Sequence, residues 1–230
     1  MKMKRKNNIC YNCGKDGADT KDHIPPRSIF PKKPSGQLIT VKAHRSCNES
    51  FQNDDELFRN LVIAASHRTY EGKLAWEEQV LRSFNKNPGA KEILNSLLIP
   101  IKINDPVSGK TIIQYALALD SQMLERQITR WTKGLYYKRF NEPLNDDAKI
   151  EIDKLQPPEI SVTSLMERLA KQQLRPLWNH VEKNIFSYTF ITSNEAQDIG
   201  FIIYVFFNTE VFMASINVND KSSSKFLKKA

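Results

Sequence analysis

Two short pairs of metal-ligand residues constrain this chain more than any other feature: Cys10-Tyr-Asn-Cys13 and His44-Arg-Ser-Cys47. A Cys-x-x-Cys turn lets two thiolates converge on one ion. A second pair with the same spacing completes four ligands of a type that suits tetrahedral zinc. All four positions are filled by protein, so the site reads as closed and structural, because catalytic zinc keeps a position open for water. The chain has three cysteines, and all three fall in these pairs. That usage favours a metal over a disulfide.

The residues between and just after the pairs carry different chemistry. Asp22 and His23 are adjacent, so in an extended segment their side chains point to opposite sides. One can hold an ion while the other faces a water molecule. Asn48 directly follows Cys47, so whatever fixes Cys47 also fixes Asn48. Carboxylate and amide oxygens are hard ligands, suited to Mg²⁺ or Mn²⁺ rather than zinc. A magnesium ion held by one or two protein groups leaves room for water and phosphate oxygens. A neutral imidazole beside it can act as general base near neutral pH. These parts suit metal-assisted phosphodiester hydrolysis.

Cys10-x2-Cys13, Asp22-His23-Ile24-Pro25-Pro26 and His44-x2-Cys47-Asn48 together resemble the HNH endonucleases of the ββα-metal fold. The likeness is strongest to members stapled by a zinc knuckle, as in phage Holliday-junction resolvases. The resemblance spans about residues 8 to 60. It implies that Asp22 and Asn48 ligate a catalytic Mg²⁺ and that His23 activates the water. It also implies a 5′-phosphate product. Two departures stand out: His44 fills a position where Cys is commoner, and the orienting Asn of many members has Gln37 as its nearest candidate. His67, in a helical pattern, and His180, in a loop-like stretch, have no such context.

Charge points the same way. The net charge is +8. Residues 1–50 hold eleven Lys or Arg against four Asp or Glu, a local charge of +7. Such a surface draws in nucleic acid and makes binding salt-sensitive. Arg27, Lys32, Lys33 and Arg45 are the candidate phosphate contacts. No apolar run approaches the roughly 20 residues needed to span a bilayer. The basic Met1–Lys6 segment is followed by no apolar stretch, so it does not read as a secretory signal. Metal-bound thiols without a signal predict a cytoplasmic location.

The chain reads as α+β, with four segments. Residues 1–60 form the zinc-stapled ββα-metal module, with Gln37–Val41 as its second strand and a core helix near Asn48. Asn53-Asp54-Asp55-Glu56 reads as a capped helix start with acids complementing the helix dipole. Residues 61–98 are a helical connector, built on stripes such as Leu57, Phe58, Leu61, Val62 and Ala65. Residues 99–219 are an α+β domain with an antiparallel sheet. It starts with a hairpin of 98–103 and 111–117 and a helix of about 120–140, striped by Leu124, Ile128, Trp131 and Leu135. A helix through Leu165, Leu169 and Leu174 follows Pro157-Pro158. Strands 185–192, 201–207 and 211–218 close the domain, the middle one central because it is apolar throughout. Their aromatics suit core packing better than base stacking. Residues 220–230 are a basic disordered tail with four lysines and three serines. No repeat and no phosphate-cradling glycine loop is found.

The expected function is therefore a Mg²⁺-dependent HNH endonuclease acting on DNA, with a structural zinc. The second domain would serve specificity, a protein partner or self-association. A stand-alone nuclease of this kind is typical of phage defence or restriction. The rival is a non-catalytic zinc-knuckle nucleic-acid-binding module, which has no use for Asp22, His23 and Asn48 together. An RNase using the same site is the third reading.

Overall fold

The computed structural model describes residues 8–104, 109–118, 120–155, 167, 171, 177–192 and 199–217. The fold is α+β with antiparallel sheets. Strand β1 (Thr20–His23) pairs antiparallel with β2 (Thr40–Ala43), with Thr20 opposite Ala43 and His23 opposite Thr40. Helix α1 (Arg45–Glu49) follows at once. On β2 the burial alternates, Val41 and Ala43 facing the core, as period-2 side chains on a one-sided sheet must. Gln37 was expected to open this strand, but it is exposed and lies before it. The reason lies across the fold: Ser35 and Gly36 donate their backbone N–H groups to Glu182. That commits the backbone of 35–36 to another element and leaves the β1 partner role to residues 40–43.

Helix α2 (Gln52–Ala65) buries Phe58, Leu61, Val62 and Ile63, largely the stripe expected from its spacing. Its start differs from expectation. The N-cap position is Phe51 and no side chain caps it, so Asn53 sits inside the first turn. Asp54, Asp55 and Glu56 instead bond Arg126, Arg130 and Arg59. Helix α3 (Tyr70–Ala75) runs through a π-helical turn (Trp76–Val80) into α4 (Leu81–Lys86), and α5 (Pro88–Ser96) follows. Strands β3 (Leu98–Asn104) and β4 (Thr111–Leu117) form the expected hairpin. Ile99, Ile113 and Tyr115 remain exposed on it.

Helix α6 (Ser121–Phe140) is capped by Asp120, whose carboxylate accepts the N–H groups of Gln122 and Met123. It crosses to a five-stranded antiparallel sheet in the order β5-β9-β8-β7-β6. Three of the strands were legible: β7 (Phe186–Thr192), β8 (Ile199–Phe206) and β9 (Glu210–Asn217). The apolar β8 is the middle strand. Two edges were not anticipated: β5 (Lys149–Leu155) and β6 (Asn179–Glu182), which carries His180. Phe186 is buried, and Tyr188 and Phe190 pack against the core, so these aromatics serve packing. Of the helix expected around Leu165–Leu174, Glu167 and Lys171 are described and helical; Leu165, Leu169 and Leu174, the Pro157-Pro158 break and the tail at 220–230 lie outside the described residues.

One hydrophobic core runs from Cys10 and Tyr11 through Phe58 and Trp131 to Phe206 and Ile216. It is continuous across the boundaries expected near residues 60 and 98. Phe58 meets Trp131 edge-on, with ring centroids 4.7 Å apart. Gly134 lets α6 lie against the Asp-His-Ile-Pro-Pro segment: a Cβ there would stand 2.7 Å from Ile24 Cγ1. The core thus seats β1 directly on α6. Among the described residues no helix is long and apolar enough to cross a membrane.

Candidate functional site

Cys10, Cys13, His44 and Cys47 converge, with their ligand atoms all within 4.8 Å of one another. The first pair lies on a turn closed by Gly14 N–H donating to Cys10 O. The second lies at the start of α1, with His44 as its N-cap residue. His44 Nδ1 is 3.3 Å from Cys13 Sγ and 3.9 Å from Cys47 Sγ. Its Nε2 lies 3.0 Å from the Asp16 carbonyl. That bond assigns the proton to Nε2 and leaves the Nδ1 lone pair facing the sulfurs, an orienting contact common at metal-bound imidazoles. Burial and the nearby Cys10 and Cys13 push the Cys47 thiol up to about 11. Sulfurs this close repel as thiolates, and a cation among them removes that repulsion. The four residues can hold a metal ion.

Asp22 and His23 fall on opposite faces of β1, as adjacent strand residues do. Asp22 points into the core and is 3% exposed. Arg130, from the middle of α6, grips it: Nη2 donates to Oδ1 at 2.7 Å, and Nε donates to Oδ2 at 3.0 Å. The Tyr11 hydroxyl donates to the same Oδ2 at 2.5 Å. Arg130 also bonds Asp55 Oδ1 at 2.6 Å through Nη1, and Gln127 donates to that oxygen at 2.9 Å. The Phe51 ring lies under the guanidinium, 4.6 Å from its carbon. Burial alone would lower the Arg130 pKa; Tyr11, Asp22 and Asp55 outweigh it and raise the pKa. Both Asp22 oxygens are therefore engaged. Asp22 is nearly fully enclosed, and the contacts it makes are those of an anchor between β1 and α6.

His23 lies on the other face, half-buried. Among the described residues no hydrogen bond to its ring is found. Burial lowers its pKa below the usual 6.5, and Arg27 pushes the same way against Asp22. The ring is thus neutral near pH 7 and its lone pair is free for a proton. Asn48, on α1, donates to the Lys21 carbonyl at 3.5 Å, a long contact that sets it against β1. Strand, strand and helix thereby bring His23 and Asn48 to one small module framed by the four metal-ligand residues.

Of the four basic candidates, Arg27 and Lys32 line one cleft and Lys33 and Arg45 do not. Arg27 is steadied by donating to the carbonyls of Phe30 and Lys32. Arg45 donates its backbone N–H to Asp19, and its side chain is exposed. Tyr11, Asp55, Gln127 and Arg130 were missed in the sequence. The one signal for them was a buried-face Gln127 and Arg130 at helical spacing beside the α6 apolar stripe. Comparison with family models, with curated proteins and with solved structures gives no match for this chain.

Proposed function

We propose that this chain hydrolyses phosphodiester bonds of nucleic acid, DNA foremost, with His23 as general base. Cys10, Cys13, His44 and Cys47 would hold a structural zinc ion, since three sulfurs and one nitrogen with no position left open suit that metal. The observation that carries the reading is His23 itself. It is a neutral imidazole with no hydrogen bond to its ring among the described residues, at the end of a two-stranded hairpin, with Asn48 of the following helix against the same strand. Half-buried on the strand, the ring keeps a side open to water, as a general base must. Here His23 takes a proton from water as the oxygen attacks phosphorus, the P–O bond to the 3′ oxygen breaks and that oxygen takes a proton from solvent; the basic surface around the site draws in the phosphate backbone. The Asp22 carboxylate does not fit a Mg²⁺ or Mn²⁺ ion while Arg130 and Tyr11 hold it. The reading therefore assigns such an ion no step.

Supercoiled plasmid tests this directly. Wild type is incubated with Mg²⁺, with Mn²⁺ and with EDTA, beside His23→Ala. Nicking by wild type that His23→Ala loses, while zinc content, fold and DNA binding persist, is the expected result. Unfolding of His23→Ala would make the residue structural and sink the assignment. The enclosure of Asp22 by Arg130 and Tyr11 favours a second reading, a zinc-knuckle module that binds nucleic acid without cutting it. That reading expects salt-sensitive retention of DNA with no nicking, and no cutting of RNA.

A further inference from the structure

A cleft of about 930 Å³ opens beside the candidate site, between the 3₁₀ turn at Arg27–Ile29 and helices α2 and α4. Its volume lies within the range of small-molecule and cofactor sites. The lining is cationic: Arg27, Lys32, Arg59, Arg82 and Lys86 against Glu56 and Glu78. Two of these charges cancel, because Arg59 Nη2 bonds Glu56 at 3.3 Å. Ser83 and Asn87 also donate to Glu56. What remains is Lys32, Arg82 and Lys86, all exposed at the rim, with Glu78 the remaining acid. Arg27, four residues after His23 in the chain, also lines this cleft.

The floor holds a second signal. Gln79 Nε2 donates to the Phe30 carbonyl at 3.4 Å, while Gln79 Oε1 is buried and finds no donor among the described residues. A buried acceptor without a partner is uncommon and calls for an explanation. Gln79 sits in the π-helical turn Trp76–Val80, and such turns occur disproportionately at functional sites. An exposed cationic rim over a buried unpaired acceptor matches one chemical class. Phosphates fit the rim, and an amino or hydroxyl donor on the same molecule fits the floor.

We propose that this cleft holds a single-stranded segment of nucleic acid next to the scissile phosphate. Its phosphates would lie on Lys32, Arg82 and Lys86, with one nucleotide directing a donor to Gln79 Oε1. The proposal rests on the nucleic-acid reading above and names where the strand runs. A duplex does not enter a cleft of this size, so the bound segment is unpaired.

The test uses full-length protein carrying His23→Ala, so that no cutting interferes. Fluorescence anisotropy follows short labelled single-stranded DNA and the same sequence as RNA, each over a salt series. Arg82→Ala/Lys86→Ala should weaken binding about tenfold and flatten the slope of log K against log salt by roughly 1.4, two single-strand phosphate contacts' worth. Gln79→Leu should weaken binding severalfold and leave the slope unchanged, because its contact is neutral. Unchanged affinity and slope in the double variant, at wild-type thermal stability, would overturn the proposal. The DNA and RNA arms identify the sugar. Binding lost in the double variant of a protein that never nicks plasmid supports the cleft and removes the nuclease. Nicking and binding indifferent to Arg82, Lys86 and Gln79 do the reverse.

Discussion

Arg130 makes the strongest single commitment in the molecule. Its guanidinium is 1% exposed and faces two carboxylates, Asp22 and Asp55. A buried pair is weak support for stability as a whole, but removing one partner leaves an uncompensated charge in the core. Arg130→Met keeps an unbranched apolar stem but removes the guanidinium and strands both acids, so it should cost about 3–5 kcal/mol. Tyr11→Phe removes one bond to Asp22 and should cost about 1–3 kcal/mol. Urea unfolding measures both; an Arg130→Met protein as stable as wild type would mean the network anchors nothing. His23 allows a prediction in the other direction. Its pKa is lowered, so the neutral base persists below the usual 6.5, and the acid limb of any cleavage profile should fall below that pH. A limb above it would contradict the assignment. The metal-ligand pairs and the Asp-His dipeptide were legible because each is local, its partner three residues away or adjacent. Arg130 was not, because Asp22 stands 108 residues from it and nothing in either neighbourhood names the other.

At the level of elements, one carboxylate joins the module to the sheet. Glu182 on β6 accepts from Ser35 N–H and Ser35 Oγ, both at 2.6 Å, and from Gly36 N–H at 3.2 Å. Gly36 approaches so closely that a Cβ would stand 2.2 Å from the Val181 carbonyl oxygen. Backbone cannot yield there cheaply, so Gly36→Ala should pry the loop from β6. Burial raises the Glu182 pKa, but the three hydrogen bonds outweigh it and hold the carboxyl below its ordinary 4.5. A depressed folded pKa stabilises above the unfolded value and loses that contribution as pH falls through the folded one. Glu182→Gln should therefore cost about 1–3 kcal/mol near pH 7. The difference from wild type should shrink below about pH 4.5. A difference that does not change with pH would mean the ionised form is not what binds the loop. This contact also explains what could be read of the elements. Strands β7, β8 and β9 show themselves by apolar runs and alternation, and α6 by its stripe. β5 carries that alternation too, Ile150 and Ile152 between Lys149, Glu151 and Asp153, and was overlooked; β6 hides because four residues make no pattern. The start of β2 was misread because Gln37-Leu-Ile is β-rich, yet the preceding 35–36 backbone is claimed by a residue some 147 positions later.

For the whole molecule, the continuous core decides how the chain should come apart. A module with its own core would unfold separately when its metal is removed. Here Cys10 and Tyr11 pack in the same cluster as Trp131, Phe206 and Ile216, and Gly134 seats α6 on Ile24. Structural zinc contributes about 10–16 kcal/mol of apparent binding energy in small zinc modules. A domain's total stability is about 5–15 kcal/mol. Loss of a zinc ion from the four ligand residues would thus be comparable to everything that holds the fold. Cys47→Ser, or a strong chelator acting on wild type, should destabilise residues 8–217 together rather than the first fifty alone. Trp131 reports the shared core, since it is fully buried on α6 and far in sequence from the ligands. With Trp76 and Trp178 replaced by Phe, its fluorescence and the far-ultraviolet circular dichroism should melt in one coincident transition, shifted down by metal removal. Two separated transitions, with the Trp131 signal unmoved by the chelator, would show that the sheet and α6 stand without the metal-bearing module. The Asp22–Arg130 anchor would then be a contact between independent units rather than part of one core.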